Sequence, residues 1–555
     1  MLLSAKINDK HFGAHILYDN LHITLNKNEK VGLIGRNGTG KSTLFNILCG
    51  QDTDFDGDLQ LARGSIVVST RQEHTGLENQ SCLEYILDEL PNYKRLKHII
   101  DTYPTIMTNS KTKINIYSEA VDHFSSLGYY RVEGSVLQQL NNYQISEDMA
   151  RAPIGQLSGG QKRFMELVKI AHSKADLTLI DEPTNHMDYL AKDSFIRWLK
   201  ELRGQTALII THDRDVLNEV SRIIEIKDKT SDEFKGNYSA YLKQNSSTTV
   251  RAIRDYEVAQ ATLNNLKKQI EYARVKAPGY RGKSANNPWV VMRKRLQKEY
   301  DHLDTIISRP SFWIDRESIE TLEKRTAQSY QKYKAKNIRL GKIDSKIPSG
   351  TLPIVEIHDL SLGYKKPLFN NLSFELKEGG RLRIHGRNGA GKTTLVNSIL
   401  ATNNQIETNA KCFNGKIEVR PKLNIGIYEQ EIATDYLELP LKLAIERLHF
   451  DKGLSISTQR IMQLMSDYLF DPNIDDKTLL TRLSGGQKAR FQLISMLSNN
   501  PDLLILDEPT NHLDLPSIEE LETALTAYKG AVIFVSHDGY FVDKFEHQTI
   551  ILNEV

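Results

Sequence analysis

One stretch of this chain occurs twice in unbroken register. Leu157 to Asp188 reads LSGGQKRFMELVKIAHSKADLTLIDEPTNHMD, and Leu483 to Asp514 reads LSGGQKARFQLISMLSNNPDLLILDEPTNHLD, displaced by 326 residues throughout. Each copy starts with a Ser-Gly-Gly turn that opens a helix and leaves backbone N–H groups to meet an anion. Each then runs into an apolar strand, Leu177 to Ile180 or Leu503 to Leu506, that ends in Asp-Glu. One such acid pair at a strand end is ordinary surface charge. Two, at the same distance behind SGGQ, read as a site.

A second motif precedes each copy. Apolar Val31 to Ile34 leads into Gly35-Arg-Asn-Gly-Thr-Gly-Lys-Ser42, with a helix predicted over Thr43 to Cys49, and Gly386 to Thr393 repeats the motif as GRNGAGKT. This is GxxxxGK[ST] between a strand and a helix, the context that gives it meaning. Gly35, Asn37, Gly38 and Gly40, with Gly386, Asn388, Gly389 and Gly391, form loops able to wrap phosphates. Lys41 and Lys392 reach the β and γ oxygens. Ser42 and Thr393 offer a hydroxyl to Mg²⁺, and Thr43 and Thr394 follow on the helix.

The combination resembles the P-loop, signature and Walker B motifs of ABC-type ATPases, and the EPTNH continuation is similar to the ABC-F subfamily. The resemblance implies ATP and Mg²⁺ as cofactors. It places Asp181 and Asp507 on the metal and makes Glu182 and Glu508 the general bases that polarise the attacking water. Gln72 in STRQEH and Gln430 in IGIYEQE match the Q-loop position, also on the metal side. His212 in ITHDR and His537 in VSHDG look like the switch histidine. Tyr364 resembles the residue that stacks on adenine, with Phe12 as counterpart across a one-residue gap. In this family two domains close head to tail. Lys41, Gln72, Asp181, Glu182 and His212 would then face Ser484, Gly485, Gly486 and Gln487. Lys392, Gln430, Asp507, Glu508 and His537 would face Ser158, Gly159, Gly160 and Gln161. Both sites are complete, so both are expected to turn over, in a monomer that pairs its own domains.

The expected fold class is therefore α/β: two ABC-type P-loop ATPase domains, 1–243 and 351–555, joined by a long α-helical hairpin over 244–350. The domains are unequal. Gln72 to Leu157 spans 85 positions and Gln430 to Leu483 spans 53. The surplus falls in Cys82 to Ser146, where two helical patterns flank the polar turn Thr108 to Lys113. By resemblance this is the ABC-F arm; a surface insertion without partners is the alternative. Three dispersed cysteines (Cys49, Cys82, Cys412) fit neither a disulfide framework nor a zinc module, as a reducing cytoplasm would suit. The amino-terminus lacks the apolar core of a signal peptide, and no apolar run approaches a membrane span.

Within 244–350, Tyr256, Ala259, Leu263, Leu266, Ile270 and Ala273 keep a 3-4 spacing, and Trp289, Met292, Leu296, Leu303 and Ile306 continue it on a second helix. Between them APGYRGKSANNP breaks the helix. A further helix is expected over Ser311 to Leu340. From Lys243 to Lys346 there are 23 Lys and Arg against 11 Asp and Glu, so a chain of net charge +2 holds a local excess of +12. Arg274, Lys276, Arg281, Lys283, Arg293, Lys294 and Arg295 cluster with Tyr280 and Trp289 around the tip, where no acid interrupts Glu271 to Glu299. Basic and aromatic side chains on a protruding hairpin suit RNA phosphates and bases; a solvated coiled coil that only connects domains is the alternative.

The resemblance implies a ribosome-binding ATPase of the cytoplasm, seated at the E site near rRNA and P-site tRNA. Its linker would point toward the peptidyl-transferase centre, and no membrane or transmembrane subunit is expected. The long tip favours ribosomal protection against antibiotics over housekeeping translation. A tandem ATPase subunit of an importer is the reading from another class, and it has little use for a basic hairpin.

Overall fold

In the computed structural model, described residues are 1–12, 15–71, 74–106, 111–185, 187–202, 204–279, 287–306, 353–403, 408–428, 432–483, 485–511 and 513–552. The chain divides into two compact units, Met1–Tyr238 with Arg339–Val555, and Ser239–Ile338. Gln72, Tyr280, Arg281, Lys283, Gln430, Ser484 and the helix expected over Ser311 to Leu340 lie outside the described residues.

The fold is α/β, with two P-loop domains of one plan. In the first, Lys30–Gly35 lies near the middle of a six-stranded sheet, paired in parallel with Thr206–Ile210 and Arg222–Lys227. Leu177–Asp181 and then Val67–Ser69 extend it in parallel, and Thr230–Lys235 adds an antiparallel edge. In the second, Ile425–Tyr428, Leu503–Asp507, Ala531–Val535, Arg381–Gly386 and Gln548–Leu552 form five parallel strands in that order. Strands such as Leu177–Asp181 and Ala531–Val535 are buried at every residue, as parallel strands covered on both faces must be. Each domain adds a three-stranded antiparallel sheet. Leu17, Leu21, Leu44 and Leu179 share one core; Leu360, Leu395, Ile505 and Ile533 share the other. Parallel order brings the P-loop, the Asp-Glu pair and the histidine of each domain to the carboxyl end of its sheet, since loops leaving parallel strands at that end open on the same side.

Three sequence expectations are corrected. The P-loop helices begin at the lysine itself, Lys41–Leu48 and Lys392–Thr402, because Gly40 and Gly391 end the loops in the left-handed region. Among the described residues Cys82 to Ser146 holds four helices, Cys82–Asp88, Tyr93–Ile106, Lys111–Ser126 and Val132–Asn142, of which the middle two are the pair expected on either side of the turn. Asn92 and Gly128, both at positive φ, split the runs; of the expected turn over Thr108 to Lys113, residues 108–110 lie outside the described residues, and the chain is helical from Lys111. The first linker helix runs Tyr238–Lys276 and the second Pro288–Ile306. Leu263, Leu266, Ala273 and Leu296 are buried along the seam, but Met292 is exposed. Arg293 takes its place, half-buried, because a helical stripe from Trp289 to Leu296 steps by four and then three, and an arginine stem can lie in a seam with its charge outside.

Candidate active site

Each P-loop is closed by a glycine that no other residue could replace without strain. Gly40 and Gly391 both sit at φ 94°, and a methyl group at Gly40 would come within 2.6 Å of the Tyr18 hydroxyl. That hydroxyl donates to the carbonyl of Gly40. Tyr18 is buried on the strand His15–Leu25, and nothing in the motif pattern announces it. Below the loop, Lys41 Nζ donates to the carbonyls of Gly35 and Arg36 at 2.8 and 3.1 Å. Lys392 does the same to Gly386 and Arg387 at 2.7 and 2.9 Å. Burial lowers the pKa of both lysines, against the pull of nearby Glu182 or Glu508.

The strand-end acids close on these loops identically in the two domains. Ser42 Oγ donates to Asp181 Oδ2 at 3.2 Å, and Thr393 Oγ1 to Asp507 Oδ2 at 3.1 Å. One carboxylate and one hydroxyl beside a phosphate loop fit Mg²⁺, which keeps several waters and takes the rest of its shell from substrate phosphate. Among the described residues no denser cluster of metal-ligating side chains occurs.

Glu182 and Glu508 stand one residue further on, at φ 44° and 48°, a region that side chains of this size seldom occupy. Their N–H groups bond the neighbouring strand ends, Ile210 O at 2.9 Å and Val535 O at 3.0 Å, which holds the turn. Burial, then the adjacent aspartate, pushes both carboxyls up to about 8. His212 Nε2 lies 3.6 Å from Glu182 Oε1 and His537 Nε2 lies 3.3 Å from Glu508 Oε1. Burial, then the P-loop lysine, holds both imidazoles down near 3, so they are neutral. Neither nitrogen of either ring has a hydrogen bond. A neutral ring has one N–H to donate, so each buried histidine can give one hydrogen bond to an anionic oxygen such as that of a γ-phosphate.

The two domains meet over these loops. Asp188 Oδ1 caps its own helix at the N–H of Ala191 (2.9 Å), while Oδ2 accepts the N–H of Asn388 in the opposite P-loop at 3.1 Å. Asp514 mirrors it, with Oδ1 on Ser517 N and Oδ2 on Asn37 N, both at 3.1 Å. One carboxylate thus ties a helix start to the other domain's phosphate loop. These aspartates end the repeated stretch, but the sequence does not say that they cross between domains. Ser158, Gly160 and Gln161 line a cleft with Asp188, Arg387 and Asn388, bringing the first signature turn to the second P-loop. Ser158 caps the helix Gly159–Ser173 through a reciprocal pair with Gln161. On the other side Gly485, Gly486 and Gln487 open the helix Gly485–Leu497, and its Arg490 feels the charges of Asp514 and Arg36. Tyr364 is half-exposed just beyond the strand Pro353–Gly363; Phe12 ends the strand Leu3–Phe12.

Fold and site together define a tandem P-loop ATPase in which each phosphate loop bonds an aspartate of the other domain. Residues 18–185 and 369–511 match the ABC transporter family model, and 224–287 match a second model of the same description. The chain belongs to the ABC transporter family, as a tandem ATPase of ABC-F type. It is 28% identical over 565 residues to the putative ATP-binding protein YdiF of Bacillus subtilis, covering 100% of this chain and 80% of that one. Identity is also 28% over 561 residues to the ribosome protection protein VmlR of the same species, covering 97% and 84%. Against the probable ATP-binding protein YheS of Escherichia coli it is 29% over 539 residues, covering 96% and 75%. The fold matches the RNase-L Inhibitor at TM-score 0.56 and 16% identity, covering 99% and 87% of the two chains. It matches the archaeal ribosome recycling factor aABCE1, solved with the stalk protein aP1, at 0.57 and 17%, covering 98% and 87%. Among the described residues no helix is long and apolar enough to cross a membrane.

Proposed function

We propose that this ATPase acts on the ribosome, with ATP closing the domains 1–243 and 351–555 and the helical linker making the RNA contact. Glu182 and Glu508 accept the proton of the attacking water, and neutral His212 and His537 hold the γ-phosphate. Lys41 and Lys392 grip the β and γ oxygens, and the signature N–H groups of the opposite domain complete each pocket. Mg²⁺ held by Ser42 with Asp181, and by Thr393 with Asp507, would neutralise phosphate charge. Gln72 and Gln430 belong to the same metal-side set, and Tyr364 and Phe12 to the adenine.

The observation that carries the ribosomal reading is the exposed basic run on the hairpin. Arg274, Lys276, Lys294 and Arg295 are exposed, and Lys276 lies 5.7 Å over the ring of Tyr272, which meets Trp289 edge-on at 5.8 Å. Cations standing over aromatic faces suit a backbone and its bases together. Similarity over most of both chains to a protein named for ribosome protection supports the same reading. Cosedimentation with ribosomes tests it across salt concentrations. Each phosphate contact contributes a slope of about 0.7–0.9 in log affinity against log salt. Replacing Arg293, Lys294 and Arg295 with Ala flattens that slope by about two units. An unchanged slope assigns the contact elsewhere.

We further propose that the protein shields the ribosome from drugs bound near the peptidyl-transferase centre. The connection from Lys276 to Asn287 exceeds the ~2 to 8 residues that reversing a helix requires. Replacing it with a short Gly-Ser turn leaves ATP turnover and ribosome binding near parental, and abolishes resistance in a drug-sensitive host. If the full-length protein moves no drug's inhibitory concentration while its loss slows growth, ordinary translation is its task.

A further inference from the structure

The two composite sites share a backbone plan but not the side chains behind it. On the strand Arg381–Gly386, positions 383 and 385 are arginine and histidine; the matching positions of Lys30–Gly35 are Gly32 and Ile34. Arg383 Nη2 donates to the carbonyl of Ser536, the residue before His537, at 3.1 Å. The His385 ring lies 4.5 Å from that of Tyr189 and 6.2 Å from that of His537, and Tyr189 lies 6.3 Å from His537. Tyr189 comes from the other domain, directly after Asp188, whose carboxylate crosses to Asn388. At the opposite site the residue after Asp514 is Leu515, so no ring stands at either matching position. His537 has no hydrogen bond to fix its ring, and its approach to Glu508 relies on packing.

We propose that Tyr189 and His385 are positioning residues for one hydrolytic site only. They hold the His537 ring against Glu508, so the site at Lys392 depends on a cross-domain aromatic contact that the site at Lys41 lacks. This rests on Glu182 and Glu508 being the two bases, and that assignment is read first. If Glu182→Gln/Glu508→Gln hydrolyses ATP at the parental rate, the base assignment fails and this inference falls with it.

With the bases assigned, Glu182→Gln leaves the Lys392 site and Glu508→Gln leaves the Lys41 site. In the first background His385→Ile and Tyr189→Leu, each copying the matching residue, lower kcat about tenfold with the KM for ATP unchanged. Tyr189→Phe keeps the ring and the rate. In the second background the same substitutions act on a site that has neither residue, and the loss is much smaller. Equal losses in both backgrounds, or none in the first, overturn the proposal. A readout independent of coupling between sites is the imidazole carbon-proton resonance of each histidine in the full chain. His385→Ile and Tyr189→Leu shift that of His537 and leave that of His212 in place; an unmoved His537 overturns the proposal whatever the rates.

Discussion

With both proposed bases replaced, in Glu182→Gln/Glu508→Gln, ATP turnover falls by about 10²- to 10⁴-fold, the usual cost of losing a positioned base. That corresponds to about 3–5 kcal/mol on the barrier. The geometry makes this a clean change. Glutamine keeps the shape of the side chain, the strained backbone and the N–H bonds to Ile210 and Val535, and leaves Asp181 and Asp507 beside Ser42 and Thr393. Only the acceptor for the water's proton is lost. ATP binding persists, and because each P-loop is already bonded to the opposite aspartate, binding without hydrolysis holds the domains closed. The variant should stay with ribosomes in ATP and be toxic when overproduced. Phosphate release, nucleotide binding and cosedimentation measure the three parts. Parental turnover would remove Glu182 and Glu508 from the chemistry.

Replacing Glu166 with Ala costs about 3–5 kcal/mol of stability, the range for breaking a buried ion pair from one side. Its carboxylate is 1% exposed and accepts from four partners: Lys169 Nζ at 2.6 Å, His74 Nε2 and the Tyr85 hydroxyl at 2.7 Å, and Arg71 N at 3.0 Å. The cluster joins the signature helix to the arm helix Cys82–Asp88 and to the loop beyond Val67–Ser69. Removing the acid strands the Lys169 ammonium, itself 1% exposed. Although burial alone would raise it, Lys169 and the hydrogen bonds hold Glu166 down to about 2, below its ordinary 4.5. A depressed carboxyl stabilises the fold above its unfolded value and loses that contribution as pH falls toward the folded one. The difference in thermal midpoint between parent and Glu166→Gln is therefore full at neutral pH and shrinks between about pH 4.5 and 2. A difference that stays constant through this range would mean that charge is not what Glu166 contributes.

How much of this was readable in advance varies residue by residue. The P-loop glycines, Lys41, Lys392 and the strand-end acids announce themselves because phosphate chemistry fixes residue type at fixed spacing. His212 and His537 follow from their order behind apolar strands. The arm and the linker were readable as helical, yet the breaks at Asn92 and Gly128 and the exchange of Met292 for Arg293 in the seam were not. Single residues at positive φ and the 3.6-residue helical repeat leave weak marks in a pattern of apolar spacing.

By itself the sequence determined that two phosphate-binding domains exist, that each has its lysine, hydroxyl and acids, and that positive charge gathers on the linker. These are local facts, carried by motifs a few residues long. Only the tertiary structure decided which groups meet across distance. Tyr18 under Gly40, Glu166 with His74 and Tyr85, the crossed bonds of Asp188 and Asp514, and the rings of Tyr189, His385 and His537 join residues from 22 to 477 positions apart. No spacing rule reaches that far, because such pairs are selected by packing in the folded core and not by the repeat of a helix or a strand.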